Sequence, residues 1–394
     1  MTQIFKFNKA IQFVFILGLI SLFSDMTYEA ARSINGPFLK TLGTNGTIIG
    51  LIAGLGELIG YGLRFISGYI ADKTKKYWLI LIIGYCLNLF SVPLLALAGY
   101  WQIAAVLMIS ERIGKAIRTA PRDALLSFGT QQIGRGWGYG LHEAMDQIGA
   151  FTGPILVSII LFLKNQKYSL AYSLLIIPAT IAIALLLYCK YLYPNPENLE
   201  IKNKYLPQKK FSKQYWIYVL AIGFIAAGFV DFPLIAYHFK TKAIMNDTII
   251  PIFYSIAMAT DAITALITGK LFDKIGIKIL IITTILSSLF VPMVFKGNFY
   301  IALVGIALWG IGMGSQESIV KAQIANMVSP EKRSIAFGSF HFVFGIFWFL
   351  GSSIMGFLYD VSLNGLIAFS IISQLLAVIL ISYLYVQTKN NKIT

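Results

Sequence analysis

Charged residues and cysteines are scarce in this chain of 394 residues. Asp, Glu, Lys and Arg make up 12% of the sequence, against roughly 25% in soluble domains, so an ordinary water-facing surface cannot be built from it. The two cysteines, Cys86 and Cys189, lie far apart in apolar segments, which predicts neither a disulfide framework nor a metal site. The motifs G-x-x-x-x-G-K-[ST], H-E-x-x-H and G-x-S-x-G are absent, so we expect no ATP-driven pump, no enzyme and no cofactor.

Long apolar runs fill the sequence instead, and 57% of its residues are hydrophobic. A run of about 20 apolar residues is long enough to cross the hydrocarbon core of a bilayer as a helix. The pattern predicts an all-α integral membrane protein with twelve transmembrane helices, called spans 1 to 12, at 11–36, 47–71, 77–98, 101–119, 136–163, 168–192, 215–239, 249–271, 277–295, 299–321, 334–358 and 364–386.

Basic residues are concentrated in alternate loops. Lys73, Lys75 and Lys76 follow span 2, and further lysines crowd the stretch 202–213. The other loops hold fewer, namely Lys40, Lys164, Lys167, Lys240, Lys242 and Lys296. This asymmetry predicts that both termini lie in the cytoplasm. The expected location of the protein is the cell (inner or plasma) membrane. The net charge of +15 then suits an anionic inner leaflet, and we expect no nucleic-acid partner.

The longest polar break, 193–214, contains three prolines and reads as a cytoplasmic linker between two bundles of six helices, 1–192 and 215–394. The halves repeat short matches at a shift of about 200 residues. These are GYIADK at 68–73 with GKLFDK at 269–274, LFSVP at 89–93 with LFVP at 289–292, and RGWGYG at 135–140 with RSIAFG at 333–338. Two parallel repeats of six spans are typical of transporters that rock around a midplane site.

The repeated stretch after spans 2 and 8 resembles the G-x-x-x-D-[RK]-x-G-[RK] loop motif of the major facilitator superfamily. Its second copy continues with Gly276 and Lys278, whereas Lys75 holds the glycine position in the first. The segment Glu111–Arg118 resembles the arginine-bearing motif of span 4 in that family. The resemblance implies a rocker-switch transporter, in which the loop residues serve the conformational switch: Gly68, Asp72, Lys73, Gly269, Asp273, Lys274 and Gly276.

A second resemblance lies in span 5. Gly149-x-x-x-Gly153-Pro154 is similar to the motif of the proton-coupled exporters of the same family, although Leu156 and Val157 stand where paired glycines usually follow. The resemblance implies proton antiport.

Many ionisable residues lie within the predicted spans, where a charge costs at least ~2.5–3.5 kcal/mol and so needs a partner, water or a function. Asp25, Glu29 and Arg32 are spaced i, i+4, i+7 on one face of span 1, and this set of two acids and one base could carry a proton. The candidates for proton coupling or substrate binding are Asp25, Glu29, Arg32, Glu57, Arg64, Arg112, His142, Glu143, Asp146, Asp231, Asp261 and Glu317. Spans 1, 2, 4 and 5 hold most of them, which places the coupling chemistry in the first bundle.

Structural interpretations compete with these. Glu317 and Lys321 form a favourable i, i+4 pair. Lys115, Arg118 and Arg122 fit interfacial cations or gate partners. The cluster on span 1 could also be purely structural, and His142 with Asp146 is balanced between function and packing.

The sequence favours a secondary active transporter that exports drug-like or amphipathic compounds by proton antiport. Import of a small metabolite by proton symport is the alternative, and a membrane receptor without transport is a third, less favoured one. The expected partners are a small-molecule substrate, protons and the lipid bilayer, and the expected assembly is a monomer.

Overall fold

The computed structural model describes residues 9–133, 135–195, 211–328 and 333–390. Within these ranges the chain forms helices and no strand: α1 Lys9–Thr41, α2 Gly46–Thr74, α3 Tyr77–Leu94, α4 Trp101–Ile133, α5 Arg135–Leu163, α6 Tyr168–Leu174, α7 Ile176–Leu192, α8 Lys213–Gly228, α9 Phe232–Thr241, α10 Ile250–Ile275, α11 Lys278–Ser288, α12 Phe290–Lys296, α13 Phe299–Ser315, α14 Lys321–Met327, α15 Arg333–Val361 and α16 Leu363–Asn390. Most of the predicted linker, 196–210, lies outside the described residues, as do 1–8 and 391–394.

Polar residues begin several of these helices. Side-chain oxygens of Asn45, Ser212, Asn298 and Ser362 each accept a hydrogen bond from a backbone N–H three residues ahead, at 3.0–3.2 Å. These caps satisfy donors that have no partner within the helix. At the other end of α10, Gly276 adopts a φ of 62°, a conformation that glycine tolerates best and that ends the helix.

Eleven helical stretches in the described ranges are long and apolar enough to cross a membrane. Spans 6, 7, 9 and 10 each combine two of the α-helices above. The stretch missing from the eleven is α4, which has more than two charged residues in every window of 18 residues. As α4 has 33 residues, it is long enough to be the twelfth span. It continues well beyond the predicted end at 119.

Several predicted spans are interrupted. Span 7 divides into α8 and α9, and residues 229–231 between them are not helical. The freed carbonyl of Gly228 accepts hydrogen bonds from Ser370 at 2.5 Å and from Gln374 at 3.4 Å. Span 10 contains a π-helical turn, Gln316–Val320. Such interruptions place side chains where a regular helix would not, and they are frequent at functional sites.

Two compact units group the contacts of the chain. The first comprises Met1–Ala31 and Gly62–Lys204, and the second comprises Arg32–Tyr61 and Tyr205–Thr394. Residues 32–61, which are the end of α1 and the first half of α2, therefore group with the second half of the sequence. The division into 1–192 and 215–394 stays a prediction.

Each unit has an apolar core. In the first unit, Phe13, Leu17, Tyr85 and Leu125 are among the buried residues that join α1, α3 and α4 with α7. In the second unit, the core is strongly aromatic around the break between α8 and α9. There Trp309 donates from its indole nitrogen to the carbonyl of Val230 at 2.9 Å, and the rings of Phe229 and Trp309 are 5.5 Å apart.

Candidate functional site

Acidic residues of α1 face basic residues of α4 in the first unit. Asp25 and Glu29 are one turn apart, as are Lys115 and Arg118, so each pair lies along one face of its helix. Arg118 Nη2 lies 3.8 Å from Asp25 Oδ1, and Lys115 Nζ lies 3.7 Å from Glu29 Oε1. The two helices thus form a ladder of opposite charges in which the ions are close but not tightly hydrogen-bonded.

Two tyrosines surround the cations of this ladder. The ammonium of Lys115 lies 3.9 Å from the ring centre of Tyr28, and the guanidinium of Arg118 lies 4.5 Å from that of Tyr85. Aromatic faces attract cations most strongly away from water, and Arg118 is only 1% exposed. This burial does not fit a cation that reaches the membrane surface, and the interpretation of Arg118 as a gate partner stays a prediction.

A third carboxylate comes from α5. Asp146 Oδ2 lies 3.7 Å from Arg122 Nη1 and 3.5 Å from His142 Nδ1. The second ring nitrogen of His142 is 3.1 Å from the hydroxyl of Ser21, which lies 3.4 Å from Arg122 Nη1. Ser21 thus connects the α5 residues with α1, and Arg122 extends the row of cations on α4.

The span 5 motif explains why α5 comes so close to α1. A Cβ added at Gly149 would lie 2.2 Å from the carbonyl oxygen of Leu22, and one at Gly153 would lie 2.4 Å from that of Met26. Real Cβ atoms do not approach this closely, so only glycine permits the contact at both positions. Pro154 follows within α5. The motif seats α5 against the turn of α1 that carries Asp25.

Some polar atoms of this network are buried without a hydrogen-bond partner among the described residues. They are one oxygen each of Asp25 and Asp146, and Nε and Nη1 of Arg118. Buried polar atoms are nearly always paired, so exceptions deserve a functional explanation. The two carboxylate oxygens can accept a proton or a hydrogen bond, and the guanidinium nitrogens can donate one to water or to a polar ligand group.

A second cluster surrounds Asp231, at the break between α8 and α9 in the second unit. Its carboxylate accepts hydrogen bonds from the indole nitrogen of Trp348 at 3.0 Å and from the hydroxyl of Ser352 at 2.5 Å. Arg32 Nη2 lies 3.7 Å from Asp231 and 3.4 Å from Glu57. Trp348 also packs against aromatic rings, with Phe344 at 5.3 Å. The cluster offers both charge and flat apolar surfaces.

The remaining candidates lie on α2, α4, α5 and α10 and in the π-helical turn. Arg112 lies 3.3 Å from Glu111, and Glu143 is exposed on α5 with Gln147 at 3.4 Å. Arg64 is half-buried on α2, Asp261 is buried on α10, and Glu317 is exposed in the π-helical turn. The side chain of Lys321, the predicted partner of Glu317, lies outside the described part of the chain.

The residues of the repeated motif lie near the carboxyl ends of α2 and α10 rather than in loops, because both helices are longer than predicted, and only Gly276 follows the last residue of α10. Asp72 accepts a hydrogen bond from the hydroxyl of Tyr77 at 2.9 Å. Gly68 packs near Ala120, and Gly269 near Ser318. Lys73 and Lys274 are exposed. The side chain of Asp273 falls outside the described residues, and the switch role of the motif stays a prediction.

Several participants were not among the candidates for proton coupling or substrate binding that the sequence predicted. Lys115, Arg118 and Arg122 recur at i, i+3 and i+7 on α4, a spacing that mirrors the acids of α1 and could have indicated a partner face. Ser21, Trp348 and Ser352 carry no sequence signal, since ordinary serines and aromatics are common in membrane helices.

The sequence matches the Major Facilitator Superfamily over residues 15–286 and 232–393. The chain belongs to this superfamily. The resemblance in the motifs and the all-helical membrane fold are thereby confirmed. As a member of the Major Facilitator Superfamily, the protein is a multi-pass membrane transporter that acts on a small molecule in a lipid bilayer.

Two similar proteins match this member of the Major Facilitator Superfamily along most of its length, and a third matches a shorter part. An uncharacterized protein of Mycobacterium tuberculosis is 36% identical over 378 residues, 94% of this chain and 92% of that protein. An uncharacterized MFS-type transporter of Methanocaldococcus jannaschii is 30% identical over 363 residues, 89% of each chain. Multidrug resistance protein MdtH of Proteus mirabilis is 33% identical over 121 residues, only 31% of this chain and 30% of that protein. The crystal structure of the nucleoside transporter NupG, at 15% identity, superposes with a TM-score of 0.74, covering 96% of this chain and 99% of that one.

Proposed function

We propose that the protein exports drug-like or amphipathic compounds in exchange for protons, by alternating access. The observation that carries the proposal is the seating of α5 on α1 by Gly149 and Gly153, the motif that resembles proton-coupled exporters. This contact brings Asp146 and His142 into the network of Asp25 and the α4 cations.

The geometry of that network suits proton coupling. Asp25 and Asp146 each face an arginine at 3.7–3.8 Å, too far for a strong hydrogen bond, and each keeps one oxygen without a hydrogen-bond partner in the described ranges. Protonation of either carboxylate would cancel the charge that attracts its arginine. Arg118 or Arg122 would then be free to change partner, which links proton binding to movement of α4.

The substrate class rests on separate support. The partial likeness to the multidrug resistance protein MdtH favours a drug-like compound. The aromatic rings of Phe344 and Trp348 beside Asp231 suit a flat apolar molecule with a polar group. Arg32 and Glu57 would contribute to the same site.

The proposal also includes the organisation into two bundles that the sequence predicts. Bundles 1–192 and 215–394 would work as one monomeric transporter joined by the linker 193–214, with both termini in the cytoplasm. Asp72 and Lys73, with their counterparts on α10, would serve the conformational switch.

Import of a small metabolite by proton symport is the second candidate. It is favoured by Leu156 and Val157, which replace the paired glycines of the exporter motif. The fold shared with the nucleoside transporter NupG makes a nucleoside a suitable probe.

Proteoliposomes with an imposed pH gradient separate the candidates. We expect ethidium, an amphipathic cation, to move against the direction of proton flow, and uridine not to move. Uridine moving with protons would replace export by import. Binding of either probe without flux would indicate a receptor.

Variants then locate the coupling site. Asp25→Asn and Asp146→Asn should abolish proton-driven ethidium transport, whereas Glu143→Gln, on the exposed face of α5, should retain it. Unchanged proton-driven transport in both aspartate variants would remove the network from the coupling mechanism.

A further inference from the structure

The amino end of α2 is capped from a distant helix. Within its own segment, Asn45 accepts a hydrogen bond from the N–H of Ile48 at 3.0 Å. The two preceding N–H groups, of Gly46 and Thr47, donate instead to the carboxylate of Asp360 at 2.9 and 2.7 Å, and the hydroxyl of Thr47 donates to it at 2.6 Å. Asp360 lies next to the last residue of α15, more than three hundred positions along the chain.

Glycines let α2 and α15 touch backbone to backbone behind this cap. A Cβ at Gly50 would lie 2.3 Å from the carbonyl oxygen of Ser352, and one at Gly356 would lie 2.6 Å from that of Gly46. No side chain separates the two helices at these points. The hydrogen bonds of Asp360 therefore close one end of a tight helix–helix contact within the second unit.

The cap that Asp360 forms is accessible to water. Its side chain is exposed, and Thr47 is half-buried. Water can replace a carboxylate at exposed N–H groups with a modest loss, because the donors remain hydrogen-bonded. Asp231, at the break between α8 and α9, is different, since it is 4% exposed and water has little access to it.

The contact between α2 and α15 joins helices from the two different sequence repeats. Span 2 belongs to the first of the two repeats, yet residues up to Tyr61 group with Tyr205–Thr394. Alternating access, as proposed above, moves the helices of one repeat against those of the other. Contacts of the first half of α2 with α15 then have to open and close in every cycle.

We propose that Asp360 is a reversible latch that holds the amino-terminal half of α2 on α15 and must release it for the transport cycle to proceed. This inference rests on alternating access but not on the identity of substrate or ion. The family resemblance implies a switch role for Asp72, near the carboxyl end of α2. Asp360 occupies the reciprocal place near the carboxyl end of α15, and each helix thus carries an aspartate in its last turn.

A cysteine reporter tests the latch without any substrate. Ile49 is 1% exposed on α2, so Ile49→Cys, in a chain with Cys86→Ala and Cys189→Ala, reports when the contact opens. Labelling is measured with a membrane-impermeant maleimide in sealed vesicles of both orientations, which also reveals the side of opening. Loss of a helix cap changes the equilibrium constant between the closed and the open contact of α2 with α15 by roughly five-fold.

We expect Asp360→Ala to accelerate labelling roughly five-fold, with Asp360→Asn in between, because its amide can accept but carries no charge. Thr47→Val should give a smaller rise and Thr47→Ser almost none. Ser362→Ala is the matched control, since it removes a cap hydrogen bond on α16, two residues from Asp360, without touching α2. Equal labelling in the parent chain, Asp360→Ala and Asp360→Asn would overturn the latch.

A cross-link tests whether release is required. The Thr47 hydroxyl and the Asp360 carboxylate touch, so cysteines at both positions should form a disulfide. Proton-driven ethidium flux should stop on oxidation and return on reduction, and undiminished flux through the oxidised protein would refute the latch. Absence of flux in the parent chain as well would count against the proposed function, while the labelling result would still decide on the latch.

Discussion

The carboxylates of the two units are held in different ways. Asp25 and Asp146 in the first unit face arginines at 3.7–3.8 Å. Asp231 in the second unit accepts hydrogen bonds at 2.5–3.1 Å from the neutral donors Trp348 and Ser352, with Arg32 further away.

The difference teaches that burial alone does not assign a role. A carboxylate held mainly by opposite charge changes its surroundings when it binds a proton, because the attraction disappears. A carboxylate held by short hydrogen bonds from neutral donors can still accept hydrogen bonds from them after it binds a proton. It therefore serves better as a fixed anchor. We therefore expect the first unit to respond to charge removal and the second to hydrogen-bond removal.

Arg118→Ala should have the largest effect on stability. It would leave Asp25 without its arginine in a buried site, a change that typically costs about 3–5 kcal/mol. The expected result is a large fall in the midpoint of thermal unfolding of the purified protein in detergent. Adding Asp25→Asn should recover part of the loss, and purely additive losses in the double variant would contradict a charge pair.

Gly149→Ala should have the second largest effect on stability. The added methyl group would collide with the carbonyl oxygen of Leu22, and overpacking of this kind costs about 1–3 kcal/mol. Gly140→Ala is the matched control on the same helix, because a Cβ there meets nothing within 4 Å. If both variants unfold at the same temperature, α5 is not seated on α1 through this motif.

Trp348→Phe should cost about 1.5 kcal/mol, because the carboxylate of Asp231 loses a donor but keeps Ser352 and Arg32. Trp309→Phe removes a similar indole hydrogen bond, but one to the neutral carbonyl of Val230. Thermal unfolding should show the smaller loss in Trp309→Phe. The reverse order would mean that Asp231 does not depend on its neutral donors.

Ser370→Ala should have the smallest effect, about 0.5 kcal/mol, because Gln374 still donates to the carbonyl of Gly228. Gln374→Leu should cost more in the same unfolding measurement, since it also removes the contact with Ser287. A larger loss in Ser370→Ala would show that the break between α8 and α9 depends on Ser370.

Sequence patterns were sufficient for the fold because long apolar runs, repeated motifs and membrane thickness constrain each other. They were not used to predict the break at 229–231, although Gly228, Asp231 and Pro233 form a local signal for one, with Asp231 and Pro233 at the start of α9. The partners of the freed carbonyl, which lie on α16, could not be predicted from that local signal. The extension of α4 to Ile133 was also missed, because its charges look like a loop until the acids of α1 and α5 are placed beside them.

Part of the candidate site was also predictable from the sequence. Acidic residues such as Asp25, Asp146 and Asp231 stand out in an apolar background, and all three lie in the two clusters. Their partners do not stand out: the α4 cations resemble interfacial residues, and Trp348 resembles core. Which charges meet is decided by packing between distant helices, which a single sequence does not encode locally.

The charges of α4 also bear on how the protein enters the membrane. Each charge near the middle of a lone helix costs about 2.5–3.5 kcal/mol on insertion scales, so α4 could not be retained in a bilayer by its own apolarity. Synthesis delivers Asp25 and Glu29 on α1 before Lys115 and Arg118 emerge on α4, whereas Asp146 on α5 follows. The order of the chain thus supplies α4 with counter-charges as it arrives, and we expect the ion ladder to assist membrane insertion in addition to its proposed role in transport.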